Sequence, residues 1–256
     1  MKFNKIINFD QSIRDINLSR DQKQKKIDLI EKDYSKVVVR KPWGYEYLTY
    51  QSKDSAVWIL HLKKGHQTSM HCHPNKTTGL IVLDGEVEIS FLGNSFISKP
   101  VSKTMIRKGL FHSTKAISDH GAHIFEIETP VDKHDLVRLE DKYGREGEPY
   151  EDSTFEVPKE NDCLWIVEPD LGNSIDYNFS NCDIVLNTIS DIMYFTGQDD
   201  DDNIMFINGG ILTDEGIMVA QAGDVVSCKI VKQLVALFPQ VAKNTTIMII
   251  SKTSND

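Results

Sequence analysis

From residue 37 onward the apolar positions fall into short runs rich in β-branched residues: Ala56–Leu62, Leu80–Leu83, Val87–Leu92 and His123–Glu128. Turn signals separate them at Lys64-Gly65, Asp84-Gly85, Gly93-Asn94, Lys108-Gly109 and Asp119-His120-Gly121. Short strands at this spacing, without alternating helices, predict an antiparallel sandwich or barrel. A charged, aperiodic stretch from Asp132 to Asp152 ends this unit. Beyond Pro158 a second β-rich series follows: Leu164–Val167, Ile184–Leu186, Ile192–Phe195, Ile204–Ile207, Gly216–Val219, Val225–Ile230 and Thr246–Ile250. The first 36 residues differ in texture, being polar and charge-rich. There Ser19 with Gln22 reads as a capping box opening a helix through about Tyr34, with Ile27, Ile30 and Tyr34 on one stripe. The expected organisation is a helical extension over 1–36, one β unit over 37–150 and another over 151–256.

The two β units echo each other. Asp84-Gly85-Glu86-Val87 finds a weak counterpart in Ile207-Asn208-Gly209-Gly210, and Arg107-Lys108-Gly109 in Gln221-Ala222-Gly223. This suggests a structural duplication. The chemistry is not duplicated, because all 8 histidines lie before residue 135. The acidic run Asp199–Asp202 lacks the alternating ligands and distant glutamate of a calcium loop and reads as a solvated turn.

Composition narrows the picture in three ways. The net charge of −9 and pI near 5.4 argue against nucleic acid or an anionic membrane as the main partner, but not against small anionic ligands. No apolar run has the length of a membrane span, and the N-terminus lacks the apolar core of a signal peptide. The 4 cysteines, Cys72, Cys163, Cys182 and Cys228, form no CxxC pair and read as reduced thiols of a cytoplasmic protein.

The chemistry concentrates at Gly65–Gly85. Residues two apart on a strand face the same side, so His71 and His73 point together into one interior while Cys72 faces away. Two imidazoles so placed can occupy adjacent positions on one metal. His112, just after the Lys108-Gly109 turn, is a third candidate ligand.

These residues resemble the two signature motifs of the cupin superfamily: Gly65-x5-His71-x-His73 with Gly85, then Gly109-x-x-His112. The resemblance implies a double-stranded β-helix, or jelly-roll, barrel holding a divalent metal. With two such units the implied fold is a mainly β bicupin with an N-terminal helical segment. The glutamate usual in the first motif falls at Thr78, the second motif's proline at Arg107 and its asparagine at Ala116. The segments Lys41-Pro42-Trp43-Gly44-Tyr45-Glu46 and Arg138-Leu-Glu-Asp141-Lys-Tyr143-Gly144-Arg145 look like those flanking the cupin domain of type II mannose-6-phosphate isomerases, a likeness covering residues 37–150. In that family's motif, laid on this chain without gaps, an arginine falls at Lys76 and the glutamate at Thr78.

The resemblance implies a metal site of His71, His73 and His112 that leaves the ion its full charge and open positions, and that does not choose among Zn, Fe, Mn and Ni. It implies Lys76, Thr78, Arg138 and Arg145 as substrate contacts, since Arg forks and Lys point charges suit a phosphate or carboxylate. The implied activity is aldose–ketose isomerisation of a phosphorylated or nucleotide-linked sugar, with His66 and Lys76 as candidate bases. Alternatives are a three-histidine Fe(II) dioxygenase and a non-catalytic sugar-binding or regulatory bicupin. By analogy with cupins the chain is expected to form a homodimer. Trp43 and Tyr45 either close the barrel end or stack on a sugar ring, and His61 is expected in core packing.

Overall fold

A computed structural model of the chain describes residues 10–21, 33–146, 155–159 and 162–253. After a helix α1 (Ile13–Asp21) the first half runs through β1 (Val38–Lys41), β2 (Gly44–Gln51), β3 (Ala56–Leu62), β4 (Met70–Cys72), β5 (Thr77–Asp84) and β6 (Val87–Phe91). It continues with β7 (Ser95–Ser98), β8 (Lys103–Ile106), β9 (His112–Ala116), β10 (Ala122–Thr129), β11 (Val137–Glu140) and β12 (Phe155–Glu156). These strands form a 7-stranded sheet, β12-β1-β2-β3-β10-β5-β8, and a 5-stranded sheet, β11-β4-β9-β6-β7. Within them β3-β10-β5-β8 and β4-β9-β6-β7 have the strand order of an eight-stranded jelly roll. The fold is mainly β, and its first barrel is a double-stranded β-helix.

The second half repeats the plan with one omission. Its strands are β13 (Ser174–Phe179), β14 (Cys182–Ile189), β15 (Asn203–Asn208), β16 (Gly210–Leu212), β17 (Met218–Gln221), β18 (Val225–Ser227), β19 (Gln240–Val241) and β20 (Thr245–Lys252), with helix α2 (Cys228–Leu237) between β18 and β19. The order β14-β20-β15-β18 matches β3-β10-β5-β8, and β17-β16-β19 matches β7-β6-β9. Among the described residues nothing corresponds to β4. Between β14 and β15 the chain forms a 3₁₀ helix, Ile192–Gly197, started by Asp191, whose side chain accepts from the Met193 N–H at 2.9 Å. Its Phe195 is fully buried against Ile204, Phe206 and Ile211. The second barrel therefore lacks the strand that in the first carries His71, and its interior is apolar.

The barrels share a face. In β3, Ala56, Trp58 and Leu60 point into the first barrel, while Val57 and Ile59 point out into a cluster with Ile184, Leu186, Met205, Met248 and Ile250 of the second. β5 and β10 divide in the same way, with Leu80, Val82 and Ile124 inward and Ile81, Leu83, Phe125 and Ile127 outward. β3 and β5 are buried on both faces almost throughout, which is why these two strands read as nearly continuous apolar runs.

Several sequence expectations need correction. The capping box lies earlier than read: Ser12 and Asp15 exchange bonds at the start of α1 (Ser12 N to Asp15 Oδ2, 2.9 Å), and Ser19 sits inside the helix with its hydroxyl on the Ile16 carbonyl. The remainder of that expected helix, including Ile27 and Ile30, lies outside the described residues. Tyr34 is buried, edge-on to Trp58. Ile192–Phe195 is helical, Val225–Ile230 divides into a strand and the start of α2, and Leu164–Val167 forms no strand. Short apolar runs carry no period long enough to separate these outcomes. The stretch after Asp132 is not merely a closing loop, since it contributes β11, which pairs with β4 and covers the back of the histidine strand with Val137 and Leu139. Of the two internal echoes, Asp84-Gly85 and Asn208-Gly209 are structurally equivalent turns, whereas Gly109 precedes β9 and Gly223 precedes β18.

Candidate metal centre

The three motif histidines meet inside the first barrel. His71 on β4 faces His112 on β9 as a Cα pair, and His73 follows β4 directly. Their ring centroids are 4.4 Å (His71–His112), 4.9 Å (His71–His73) and 5.5 Å (His73–His112) apart. One ligand atom from each lies within 4.8 Å of the others.

The tautomers are set by the backbone. Each Nδ1 lies on a carbonyl oxygen: His71 on Ser69 at 2.8 Å, His73 on Asp135 at 2.6 Å and His112 on Leu110 at 3.0 Å. A carbonyl only accepts, so each Nδ1 carries the proton and each Nε2 keeps its lone pair. The Nε2 of His73 is buried with no hydrogen-bond partner. Burial also holds the rings neutral. It pushes His112 down to about 4, and it takes His71 and His73 well below the ordinary range, helped at His71 by His112 and at His73 by Lys76. Three neutral, oriented imidazoles with an unsatisfied nitrogen among them fit a divalent metal, and the set could hold one without deprotonation at neutral pH.

The segments that present these rings are tied together. The Gly109 N–H donates to the His73 carbonyl at 2.8 Å, joining the turn before His112 to the second ligand. From outside, buried Asp15 of α1 accepts the Phe111 N–H at 3.1 Å, and Gln11 donates to the Gly109 carbonyl at 3.3 Å. Leu18 packs on Cys72, Phe111 and Val137, so Cys72 indeed faces away from the rings. Gly109 has φ +69°, and a Cβ there would meet the Gln11 side chain at 2.2 Å.

A cavity opens beside the rings. His71 and His73 line it, with Lys41, Trp43, Glu46, Lys76, Glu126, Lys133, Arg138 and Arg145. Of the expected substrate contacts, Lys76, Arg138 and Arg145 are on this wall and Thr78 is not. Thr78 is buried, and its hydroxyl has no partner. Arg138 is the Cα partner of His71 across β11 and β4. Arg145 is held by Asp141 through two bonds of 2.8 and 2.6 Å. Lys76 bonds the Asp132 carbonyl at 2.9 Å and pairs with Glu128. His66, the other candidate base, is not on the cavity wall; its Nδ1 lies 3.0 Å from the Lys64 carbonyl and its ring lies parallel to Tyr143. Trp43 is on the wall, whereas Tyr45 stacks on His61 on the sheet's other face.

Sequence reading missed the acids. Glu46 pairs with Lys133 at 3.2 Å and with Lys41 at 3.9 Å. Glu128 is the Cα partner of Thr78 and accepts from the Trp58 indole at 3.1 Å. The signal was present: His123–Thr129 alternates, so Glu126 and Glu128 share the inward face with Ile124, and acids on an inward face of a buried strand demand partners or a role.

No protein-family model and no curated relative matches the chain. Solved structures do. A sugar phosphate isomerase from a cupin superfamily of Silicibacter pomeroyi is similar at 14% identity over 37% of this chain and 64% of that one, TM-score 0.34. The capsular polysaccharide assembling protein CapF of Staphylococcus aureus is similar at 15% identity over 41% of this chain and 34% of its own, TM-score 0.37. A Klebsiella pneumoniae protein with a double-stranded β-helix domain is similar at 17% identity over 44% of this chain and 86% of its own, TM-score 0.35. The likeness to type II mannose-6-phosphate isomerases is not among what these structures show. Among the described residues no helix is long and apolar enough to cross a membrane.

Acid should destabilise the metal-free protein. His112 and, on the outer face, His123 are both pushed down to about 4, His123 by burial and then by neighbouring His61. In the unfolded chain these rings titrate near 6.5, so between pH 6.5 and 4 the unfolded state binds more protons. Stability is expected to be complete above pH 6.5 and to fall steadily toward pH 4, read as a falling urea midpoint; a flat midpoint across that window would refute the assignment.

Proposed function

We propose that the chain is a metal-dependent aldose–ketose isomerase acting on a small anionic sugar, phosphorylated or nucleotide-linked, in the manner of a mannose-6-phosphate isomerase. The observation that carries this reading is the cavity wall, which sets two of the three converging imidazoles among basic side chains: Lys41, Lys76, Lys133, Arg138 and Arg145. His71, His73 and His112 would hold the ion, Zn, Fe, Mn or Ni. When bound, it supplies Lewis-acid polarisation of substrate oxygens.

The chain's own groups do the rest. Arg145, fixed by Asp141, presents a preorganised guanidinium, and Arg138 stands beside His71; together they suit the two-pronged grip that a phosphate accepts. Trp43, buried on the same wall, offers an apolar surface to a sugar ring. The second barrel, without histidines or a counterpart of β4, serves as a scaffold for the first.

The test is a panel of aldose and ketose phosphates and nucleotide sugars, offered to protein loaded with each metal in turn. Interconversion that disappears on chelation and returns with metal supports the reading. Ligand-induced thermal shifts without turnover would replace it with the sugar-binding bicupin, and oxygen uptake with Fe(II) would replace it with the dioxygenase.

A further inference from the structure

Aldose–ketose exchange needs a group that takes a proton from one carbon and returns it to the next. We infer that Glu126 is that group, an inference that rests on the isomerase reading. It follows from how the other charged groups of the cavity are committed. Glu46 is engaged by Lys41 and Lys133. Glu128 is fully buried between Lys76 and the Trp58 indole, and Asp141 is bidentate to Arg145. Lys76, itself 2% exposed, is held by Glu128 and the Asp132 carbonyl. Among the described residues Glu126 forms no hydrogen bond or ion pair, and it is on the cavity wall with His71 and His73.

Its strand position explains this. β10 is the central strand between β3 and β5, where Glu126 pairs with Trp58 and Leu80. Its inward neighbours two residues away are Ile124 and Glu128, so the carboxyl leaves an apolar wall and enters the cavity. The charged groups that act on it are Lys133, which sits 3.6 Å over the Trp58 ring, Glu128, Lys76 and Glu46. Burial raises Glu126 to about 7, with Lys133 opposing the rise. A carboxyl near neutrality can both accept and donate at working pH, which is what a two-way proton carrier requires.

The step balances without a co-reactant. The C2–H bond of the aldose breaks, its electron pair forms the C1=C2 bond of an enediol, and the proton goes to Glu126. The C1 carbonyl oxygen takes up a proton from solvent water as its π pair is displaced. Glu126 then returns its proton to C1, where the C1=C2 pair forms the new C1–H bond, and the O2–H proton passes to the hydroxide left by that water as C2 becomes the carbonyl, so the water is regenerated.

The experiment compares wild type with Glu126→Gln, metal-loaded, on the sugar that wild type turns over, following kcat, KM and deuterium uptake from D2O at the exchanging carbon. Glu126→Gln should lose about 10²–10⁴-fold in kcat and a similar factor in exchange, while metal content and KM stay at wild-type values. The acidic limb of the wild-type pH profile near 7 should vanish from the residual rate. If Glu126→Gln does not fold, Glu126→Asp serves, expected to keep metal and KM but lose at least tenfold in kcat. A variant that keeps wild-type kcat and its pH limb overturns the assignment and leaves the isomerase reading standing. A wild type that isomerises no member of the panel overturns that reading, and the role of Glu126 falls with it.

Discussion

Purified with a divalent metal and dialysed, the wild-type chain is expected to retain about one ion, and His73→Ala to retain essentially none. His73 is the sharpest test because its Nε2 is buried and unpartnered, and its Nδ1 is already committed to the Asp135 carbonyl. Removing the ring leaves two imidazoles, too few to hold an ion against dialysis in a site with no nearby carboxylate ligand among the described residues. His71→Ala and His112→Ala should behave alike. Metal analysis by mass spectrometry reads the result. Full retention in any one variant removes that residue from the centre. Lost metal with an unchanged far-UV spectrum separates ligand loss from unfolding.

Breaking the Lys76–Glu128 pair is expected to have the largest effect on stability. Both side chains are essentially inaccessible, at 2% and 0%. Lys76→Ala strands a buried carboxylate and Glu128→Ala a buried ammonium, each costing about 3–5 kcal/mol in chemical denaturation. Replacing both at once, as Lys76→Met with Glu128→Gln, should cost much less than the sum, because no charge is left alone. Single variants within about 1 kcal/mol of wild type would mean that water reaches the pair.

The site was legible in the sequence wherever local geometry decided it. His71 and His73 had to share a face if their segment was extended, and His112 followed a turn at the right distance to join them. Arg138 and Arg145, named from the flanking segments, lie on the cavity wall. Thr78 did not, because its neighbour on the next strand, Glu128, occupies that level of the barrel with Lys76. For the acids only half was legible: alternation along His123–Thr129 turns Glu126 inward, but it takes the strand order to place Glu46 of β2 and Glu126 of β10 on one wall with His71 and His73. The same limit governed the second half. Ile192–Phe195 has strand composition, yet the Asp191 cap and the burial of Phe195 favour a 3₁₀ turn. Ser19, read as a helix start, sits inside α1, which is capped at Ser12 by Asp15; the other oxygen of Asp15 accepts the Phe111 N–H, a partner far along the chain.

The doubly covered sheet of β3, β5 and β10 has a consequence for how the molecule can be taken apart. A barrel that stood alone would present Val57, Ile59, Ile81, Leu83, Phe125 and Ile127 to water. Those positions need the apolar face of the other half, so a fragment truncated between the halves is expected to aggregate. In the other half a 3₁₀ helix, Ile192–Gly197, stands where the first has β4, and the shared apolar face is complete without that strand. The halves thus differ in what they contribute: one carries all the histidines, and the other supplies the apolar face that covers the outside of its sheet.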